Sequence, residues 1–403
     1  MNDMEYRLGD LYEVSNGLSK SGEFFGTGYP FLTFSTVFNN YFIPNEIKDY
    51  VQSTAKEQKS YSIKAGDVFI TRTSETTDEL GMSCVALKDY PTATYNGFCK
   101  RLRPITENTN PLYMGYYFRS EVFRANFKKV ASLITRASLR NEDLMRFKVD
   151  LPSLETQTKI SEMLYKYDSL IENNNKRIKV LEQMAENLYK EWFVRFRFPG
   201  YEKAEFENGV PKGWEYVKIG DAFETSSGGT PSRSHPKYYE NGTIGWIKTG
   251  ELLDSLIINT EEHITEEGLK NSAAKLIPVG ALLCSMYAGV GKLGITTKEI
   301  TCSQATCVFM PKSYVSNLYM FQFLKLNKKY LENISFGAAQ QNISQVVINR
   351  IKFLAPPMEL IKSYDESVKE IYKVIYNILL QNQNLIKQRD MLLPRLMSGK
   401  LEV

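Results

Sequence analysis

Residues 154–193 read LETQTKISEMLYKYDSLIENNNKRIKVLEQMAENLYKEWF. The segment contains no Gly or Pro, and its apolar residues recur with the heptad spacing of a long helix that packs against a partner helix. One seam holds Ile160, Tyr167, Asn174, Leu181 and Leu188, and the other holds Leu164, Ile171, Ile178, Ala185 and Trp192. We therefore predict a helix from about Leu154 to Phe196, ended by Pro199 and Gly200.

The same rhythm returns near the end of the chain, from about Glu359 to Met397, at an offset of 204 residues as from Ile160 to Tyr364. Its seams hold Tyr364, Ile371, Ile378, Leu385 and Leu392, and Val368, Ile375, Asn382, Arg389 and Leu396. The offset also pairs Arg146, Lys148 and Pro152 with Arg350, Lys352 and Pro356. A repeat of this length indicates near two-fold symmetry within one chain, which suits a two-fold symmetric target such as duplex DNA.

A helix of about 40 residues is about 60 Å long, and a small domain cannot bury its whole apolar stripe. We therefore predict that the two helices pair antiparallel. The expected pairing or partner-binding residues are Ile160, Tyr167, Ile171, Ile178, Leu181, Leu188, Trp192, Tyr364, Ile371, Ile375, Leu385, Leu392 and Leu396. We interpret Asn174 and Asn382 as tolerated polar layers, because antiparallel pairing need not bring them together; the alternative is a pair that fixes the register.

The segments outside the helices have a strand-and-turn texture. The predicted strands are FLTFSTVF (31–38), DVFIT (67–71), SCVALK (83–88), TIGWIK (243–248), KLIPVGALLCSMY (275–287) and ATCVFM (305–310). Aromatic spacing predicts a helix from Tyr113 to Val130. The predicted fold class is α+β, with two globular mixed α/β domains at 1–153 and 200–358, separated by helical segments at 154–199 and 359–403 that pair as an antiparallel coiled coil.

Composition limits the possible functions. The chain has 403 residues and a net charge of only +4, so any surface that binds nucleic acid must be local. Five cysteines without a CxxC pair predict a reduced, soluble, cytoplasmic protein, and two histidines without spaced ligands predict no metal site. We find no secretory signal, no glycine motif for S-adenosylmethionine, no NPPY-like tetrapeptide and no Walker A sequence, so we expect a non-catalytic chain without a cofactor of its own.

Several stretches resemble a known family. The first helix ends in LYKEWFVRFRFPGYE (188–202), the second copy opens with PKGWEYVKIGD (211–221), and the chain finishes LLPRLMSGKLEV (392–403). The paired blocks are AGDVFITR (65–72) with PVGALLCSM (278–286), and LPSLETQTKI (151–160) with APPMELIKSY (355–364). Over essentially its whole length, the chain is similar to the specificity subunit of a Type I restriction–modification system.

The resemblance implies a division of labour. The domains at 1–153 and 200–358 would be target-recognition domains, each reading one half of a split, asymmetric sequence in double-stranded DNA. The two helices would set the distance between them and bind two methyltransferase subunits, which carry S-adenosylmethionine and methylate adenine. Separate restriction and translocase subunits would cut DNA, all in a prokaryotic cytoplasm without membrane contact.

Candidate DNA-contacting residues in the first domain lie in basic and polar stretches. They are Arg72, Thr73 and Ser74 after a predicted strand, Lys100 and Arg101, and Arg136 and Arg140 in the loop SLITRASLRNED. Arginine can read a guanine edge, and clustered cations neutralise phosphates. Arg119, Arg124 and Lys128 belong either to the same surface or to a solvated helix face.

In the second domain the candidates lie in three loops. They are Ser227 and Arg233 in the flexible polar loop TSSGGTPSRS (225–234), Tyr287 and Lys292 around AGVGKLG (288–294), and Gln340, Gln341 and Asn342 in FGAAQQNIS (336–344). Glutamine and asparagine can pair with adenine in a bidentate manner. The alternatives are an ordinary surface loop, a simple hairpin at 288–294, and a helix-capping role for Asn342.

Three other functions remain possible from the sequence. The chain could be the specificity subunit of a Type II-like system with fewer subunits. It could be a DNA-modifying enzyme, which binding of S-adenosylmethionine by the chain alone would favour. It could also be a coiled-coil adaptor, which absent or salt-independent DNA affinity of the complex would favour.

Overall fold

A computed structural model of the chain describes residues 4–72, 80–131, 140–287, 289–335 and 342–401. Packing divides the chain into a first unit of residues 1–172 with 384–403, and a second unit of residues 173–383. Each unit contains one globular segment together with part of each long helix. The division therefore falls inside both helices, and not at the changes in composition near residues 153 and 199.

The described strands and helices alternate in each unit. The strands are β1 (Met4–Arg7), β2 (Tyr12–Asn16), β3 (Phe25–Leu32), β4 (Tyr50–Val51), β5 (Val68–Thr71), β6 (Ser83–Val85), β7 (Thr94–Tyr95), β8 (Cys99–Pro104), β9 (Lys148–Leu151), β10 (Phe206–Glu207), β11 (Val210–Pro211), β12 (Glu215–Lys218), β13 (Phe223–Ser227), β14 (Ile244–Ile247), β15 (Ser255–Ile257), β16 (Glu262–Ile264), β17 (Leu282–Ser285), β18 (Leu293–Thr296), β19 (Thr301–Cys302), β20 (Thr306–Pro311) and β21 (Lys352–Ala355). The α-helices are α1 (Leu8–Leu11), α2 (Phe34–Asn39), α3 (Ala55–Ser60), α4 (Pro111–Tyr117), α5 (Glu121–Ala131), α6 (Asn141–Met145), α7 (Leu154–Tyr189), α8 (Ile219–Ala222), α9 (Glu266–Lys270), α10 (Asn317–Leu326), α11 (Lys328–Asn333), α12 (Gln345–Arg350) and α13 (Met358–Met397). Short 3-10 turns lie at Gly22–Phe24, Tyr201–Lys203, Pro236–Tyr238 and Thr249–Glu251, and a π-helical turn at Lys190–Val194 follows α7.

The two units are built on the same sheet plan. The first has a main sheet in the order β2-β8-β5-β6, a small sheet β4-β3-β7 and a ladder β1-β9. The second has a main sheet β13-β20-β17-β18-β15, a small sheet β16-β14-β19 and a ladder β12-β21. The internal repeat indicated by the helices therefore extends to the sheets.

The shared sequence YRLGD and VKIGD has a structural cause. Leu8 N donates to Phe147 O at 2.9 Å, and Ile219 N donates to Ile351 O at 2.9 Å, so each ladder leads into a short helix. At Gly9 an added Cβ would lie 3.1 Å from the carbonyl oxygen of Met145. At Gly220 an added Cβ would lie 3.0 Å from a side-chain carbon of Asn349. The same close packing thus favours glycine in both copies.

The apolar faces of the helices are part of the core of each unit. Ile160 and Leu164 of α7 and Leu396 of α13 are buried in the core of the first unit. In the second unit the ring of Phe193 packs against those of Tyr319 and Tyr364, with centroids 4.9 and 5.0 Å apart. Burying aromatic rings of this size contributes a large share of packing energy, so helix and domain are held together within each unit.

The helices pair antiparallel, as predicted. Within the second unit Asn174 contacts Asn382, whereas Trp192 contacts Tyr364, so residue numbers rise along one helix as they fall along the other. Of the predicted pairing residues, those buried are Ile160, Ile178, Trp192, Tyr364, Ile375 and Leu396. Those partly buried are Tyr167, Ile171, Leu181, Leu188, Ile371, Leu385 and Leu392.

Our interpretation of the two asparagines as separate polar layers is wrong. Asn174 Nδ2 donates to Asn382 Oδ1 at 2.9 Å, and both residues are buried, with 4% and 7% of their surface exposed. Asn382 Nδ2 donates to Asn175 Oδ1 at 2.9 Å, so a polar layer crosses the helix pair. Because a buried amide needs a partner, this layer favours one register over its neighbours.

We expect Asn382→Ala to lower the free energy of unfolding by about 1–3 kcal/mol, because it leaves the buried amide of Asn174 without its principal partner. The double variant N174L/N382L removes both polar groups, and its stability should be close to that of the native chain. Denaturant unfolding of the three proteins checks this. If the double variant lost as much stability as Asn382→Ala, the amide pair would not explain the effect.

Leu181→Asp should destabilise the second unit by about 2–4 kcal/mol, because it places a charge in the seam between the helices. The matched control is Val180→Asp, at a neighbouring position that is 61% exposed, where the change should stay within about 0.5 kcal/mol. Thermal unfolding compares the two variants. Equal stability of both variants would contradict the burial of this seam.

Three predicted elements differ from the structure. The strand expected at 31–38 stops at Leu32, and α2 begins after Thr33, whose Oγ1 accepts from Thr36 N at 3.3 Å. The helix expected from Tyr113 to Val130 is two helices, because Ser120 Oγ accepts from Phe123 N at 3.3 Å and begins the second. The strand expected at 275–287 is confined to β17. Local capping at Thr33 and Ser120 and the turn before β17 prevailed over the strand composition and the aromatic spacing on which we based these predictions.

The chemistry of the cysteines is determined by their burial. All five cysteines are buried and unpaired, and burial raises the pKa of Cys84, Cys99, Cys284 and Cys302 to about 12. Their thiols are therefore neutral and unreactive.

Among the described ranges, no helix has both the length and the apolar character needed to cross a membrane. Nor does this part of the chain hold a cluster of three or more His, Cys, Asp or Glu residues that could bind a metal.

Candidate nucleic-acid interface

One end of the main sheet in the first unit gathers polar side chains. Asn16 pairs with Lys100 at the end of β2, and Thr71 pairs with Cys99 at the end of β5. Lys100 Nζ donates to Asn16 Oδ1 at 3.1 Å and also to Asn141 Oδ1, which brings the first turn of α6 to the same place. We define the first sheet-end surface as Asn16, Arg72, Phe98, Arg140 and Asn141.

The matching end of the second unit brings together several sequence-predicted residues. Tyr287 and Asn342 form an antiparallel bridge just beyond β17. Lys292 N donates to Ser285 Oγ at 2.9 Å, so Lys292 lies across the hairpin from the strand end. Ser227 pairs with Cys307 at the same end of β13. We define the second sheet-end surface as Ser227, Tyr287, Lys292, Asn342 and Gln345.

Equivalent glycines align the two surfaces. Gly17 N donates to Cys99 O at 3.2 Å, and Gly228 N donates to Thr306 O at 3.3 Å. An added Cβ at Gly17 would lie 2.1 Å from Asn96 O, and one at Gly228 would lie 2.1 Å from Cys302 O. Both loops thus leave the sheet by the same close backbone approach, which only glycine allows.

The two sheet ends share their backbone contacts but carry different side chains at equivalent positions. The ladders of β2 with β8 and of β13 with β20 place Asn16 opposite Lys100, and Ser227 opposite Cys307. After the central strands, Arg72 N donates to Phe98 O at 3.0 Å and Met286 N to Ala305 O at 2.8 Å. The changed pairs are Asn16 and Ser227, Arg72 and Met286, Lys100 and Cys307, and Arg140 and Ser344. One backbone therefore presents two different chemical surfaces.

Lys100 and Arg101 lie beneath the first sheet-end surface. They are only 4% and 5% exposed, and Arg101 Nη1 donates to Ser62 O at 2.7 Å. Burial, with a further contribution from nearby Arg72, lowers the pKa of Lys100. This placement corrects our expectation that these two cations meet DNA phosphates directly, because neither is presented to solvent.

Two further arginines of the predicted basic stretch serve the framework. Arg119 Nε donates to Ser83 O at 2.6 Å, and its Nη2 donates to the carbonyls of Val37 and Phe38 at 2.7 Å. Arg124 Nη1 donates to Leu80 O at 2.5 Å. The sequence left two interpretations open, a DNA-binding surface and a solvated helix face. The hydrogen bonds support neither, because Arg119 binds carbonyl groups of α2 and β6 and Arg124 binds the carbonyl group of Leu80.

Arg72 and Arg140 remain available at the surface. Arg140 is exposed and immediately precedes α6. The Nε atom of Arg72 is buried and has no hydrogen-bond partner among the described residues. A buried donor without a partner is uncommon, and it is satisfied when an acceptor approaches. Thr73, Ser74, Arg136, Gln340 and Gln341 lie outside the described residues.

The segment 225–234 is more ordered than a flexible loop. Its first residues belong to β13, and its two glycines are buried. Arg233 lies over the rings of Tyr239 and Trp246, 4.2 and 5.2 Å from their centroids, and its guanidinium is 2.7 Å from Glu262. The hydrogen bond to Arg233 lowers the pKa of Glu262. Arg233 is thus partly engaged within the unit, although half of its side chain is exposed.

The hairpin and capping alternatives are resolved by the register. Leu282 to Cys284 pair antiparallel with Leu293 to Ile295, so the glycine-rich stretch connects a β-hairpin. Ser344, not Asn342, is the N-cap of α12, because Ser344 Oγ accepts from Val347 N at 3.3 Å. Asn342 is therefore exposed beside Tyr287 with its side chain free of a capping role.

The first unit also has an aromatic pocket that was not predicted from the sequence. The pocket measures about 390 Å³, and it is lined by Phe25, Tyr50, Lys48 and Asn96 among others. Phe25 and Tyr50 are each 39% exposed. The alternation of glycine and aromatic residues in FFGTGY (24–29) was the available signal. Exposed rings beside a cation and an amide are suited to stacking on bases and to hydrogen bonding with their edges.

Comparison with known proteins places the chain in a family. A model of the Type I restriction modification DNA specificity domain matches residues 1–183 and 211–389. The chain belongs to this family. The two matched ranges correspond to the two repeats, and the resemblance noted from the sequence is confirmed.

Relatives and a solved structure agree with this assignment. The MjaIX specificity subunit of a Type I restriction enzyme from Methanocaldococcus jannaschii is 26% identical, covering 98% of this chain and 93% of that protein. The HindI specificity subunit from Haemophilus influenzae is 24% identical, covering 98% and 99%. The crystal structure of a Type I restriction–modification S subunit from M. genitalium has a TM-score of 0.55 at 12% identity, covering 98% of this chain and 96% of that one. This last likeness shows the common fold.

The buried and exposed arginines should behave differently on substitution. Arg101→Ala should lower the free energy of unfolding by about 2–4 kcal/mol, because it removes a buried hydrogen bond and its packing. Arg140→Ala, at an exposed position, should change it by no more than about 0.5 kcal/mol. Denaturant unfolding measures both. A stable Arg101→Ala protein would contradict the framework role and reopen Arg101 as a surface contact.

Proposed function

We propose that the chain is the sequence-specific DNA-recognition subunit of a Type I restriction–modification complex, and that each unit reads one half of a bipartite, asymmetric target. The observation that carries this proposal is the pair of sheet-end surfaces, which share a backbone framework but differ in exposed side chains. Family membership supports the assignment to DNA specificity.

Proteins read duplex DNA through two kinds of contact. Phosphate contacts position a protein without reading sequence, whereas side chains at base edges specify it. Two units with one framework would dock on DNA in the same way, and their differing side chains would read different bases. An asymmetric target then follows from the differences between the exposed residues Asn16 and Ser227 and between Arg140 and Ser344.

The proposed DNA-contacting residues come from both repeats. In the first they are Asn16, Arg72, Thr73, Ser74, Arg136 and Arg140, and in the second they are Ser227, Arg233, Tyr287, Lys292, Gln340, Gln341 and Asn342. Lys100 and Arg101 support this surface from beneath. The aromatic pocket around Phe25 and Tyr50 adds a stacking contact on the first half-site.

The chain acts with partners. Two methyltransferase subunits, one for each repeat, would bind S-adenosylmethionine and methylate adenine, and restriction and translocase subunits would complete the complex. The chain itself would supply recognition and a scaffold without catalysis. A duplicated helix and domain within one chain suits two copies of the same partner.

The test is a base-modification map of a methylation-free host that expresses this chain with its methyltransferase subunit. We expect the triple variant Y287A/K292A/N342A to relax the methylated motif at one half only, because each lost base contact removes about 1–3 kcal/mol of discrimination. The variant N16A/R72A should relax the other half. Lys203→Ala, an exposed change in the Tyr201–Lys203 turn, serves as control.

A native chain that yields no split adenine motif would refute the proposed function. Variants that relax both halves together, or neither half, would refute the assignment of one half-site to each unit.

A further inference from the structure

The ladder that closes each repeat carries opposed positive charges. Arg7 of β1 lies directly opposite Lys148 of β9, and Lys218 of β12 lies directly opposite Lys352 of β21. Arg146 and Arg350 lie two residues before the start of β9 and β21. We define the cationic ladders as Arg7, Arg146 and Lys148 in the first unit, and Lys218, Arg350 and Lys352 in the second. All six residues are exposed.

Folding alone does not account for this arrangement. Like charges directly opposite each other on a strand pair destabilise it. Lys148 Nζ lies 2.7 Å from Glu5, but that pair is largely exposed and contributes little. For the other five cations, the described residues record no ion pair. An unfavourable pairing of cations occurs in both repeats, as expected of a surface that meets an anionic group.

The ladders are alike where the sheet-end surfaces differ. Arg146 and Arg350 are identical, Lys148 and Lys352 are identical, and Arg7 corresponds to the cation Lys218. At the sheet ends, by contrast, the exposed residue Arg140 corresponds to Ser344. Surfaces that read two different half-sites are expected to diverge, and surfaces that stay alike are expected to meet the same group twice.

In the first unit the ladder and the sheet-end surface lie at opposite ends of α6 and of β2. In the first unit α6 begins beside Lys100 and ends where Met145 packs on Gly9, next to Arg7 and Arg146. Strand β2 leads from α1 to Asn16 over five residues, which is about 17 Å.

Apolar surface adjoins the ladder of the second unit. A groove of about 450 Å³ is lined by Phe323, Tyr330, Arg350 and Lys352 among others. A neighbouring groove of about 610 Å³ shares Phe323 and includes Val194, which is 55% exposed. Exposed apolar side chains would not stabilise the binding of phosphate groups. A protein segment with acidic and apolar residues would bury these apolar side chains when it binds.

We propose that the cationic ladders are docking surfaces for an acidic, amphipathic segment of the methyltransferase subunit, with one segment bound to each unit. This inference rests on the proposed function, which supplies a partner present in two copies. Acidic side chains of the segment pair with the opposed cations and relieve their repulsion. In the second unit its apolar side chains fill the groove beside Phe323.

The experiment uses the full chain co-expressed with the methyltransferase subunit of the same restriction–modification locus, and native mass spectrometry without DNA. The native chain should carry two methyltransferase subunits. R350E/K352E, which reverses the ladder of the second unit only, should carry one. R146E/K148E should also carry one, and the combination of all four changes should carry none.

The matched control K270E/K275E makes the same change of charge at exposed lysines of the second unit, and it should carry two. Circular dichroism checks folding, and R350A/K352A repeats the measurement without introduced acids. Two bound methyltransferases in every ladder variant would overturn the inference. If those variants also showed weaker, less salt-dependent DNA binding, the ladders would be phosphate contacts. A native chain that binds no methyltransferase would instead refute the proposed function.

Discussion

The structure depends on burial of the apolar faces of the two long helices. Within each unit, residues of both helices are part of the domain core, as with Ile160 and Leu396 in the first and Tyr364 and Phe193 in the second. Neither stripe could be left in water, because burying each large apolar side chain contributes about 1.5–3 kcal/mol. Contacts between the helices and contacts between helix and domain therefore form one continuous core in each unit. The ladders are positioned by that same core, since the second strand of each ladder, β9 or β21, leads into a long helix.

Repetition with local divergence explains how one chain can serve an asymmetric target. Backbone contacts that build the sheet ends recur in both units, including the close approach at Gly17 and Gly228. Exposed side chains at those ends contribute little to packing, so Asn16 and Ser227 can differ without disturbing the framework. Exposed residues of the ladders could differ just as easily, yet they remain cationic. Constraint on the ladders therefore comes from what binds there, and not from the fold.

Periodicity predicted the helices well, because a seam many turns long repeats its signal. Composition was a poorer guide to short elements such as α2, where the hydroxyl of Thr33 caps a helix within a β-branched stretch. In the candidate site, sequence pattern located Tyr287, Lys292 and Asn342 separately, but only the strand register brings them together. The sequence pattern could not distinguish buried Lys100 from exposed Arg140. Both occur in basic stretches, and only the sheet determines which one is buried. Nor did it indicate that Phe25 and Tyr50 share a pocket, since their proximity follows from the pairing of β3 with β4.

Polar contacts between the helices favour pairing of the first helix with the second over pairing of either helix with a second copy of itself. The repeat places Ile378 where the first helix has Asn174, and Ile178 where the second has Asn382. A helix that paired with a second copy of itself would therefore face a buried asparagine with isoleucine, which leaves an amide unsatisfied. The contact between Asp168 and Arg389 in the first unit acts in the same direction, because the repeat places Tyr372 and Ala185 at the corresponding positions. Self-pairing would leave that carboxylate or that guanidinium without its partner. The polar residues that weaken each seam thus favour pairing of the first helix with the second, which the duplicated apolar pattern alone would not do.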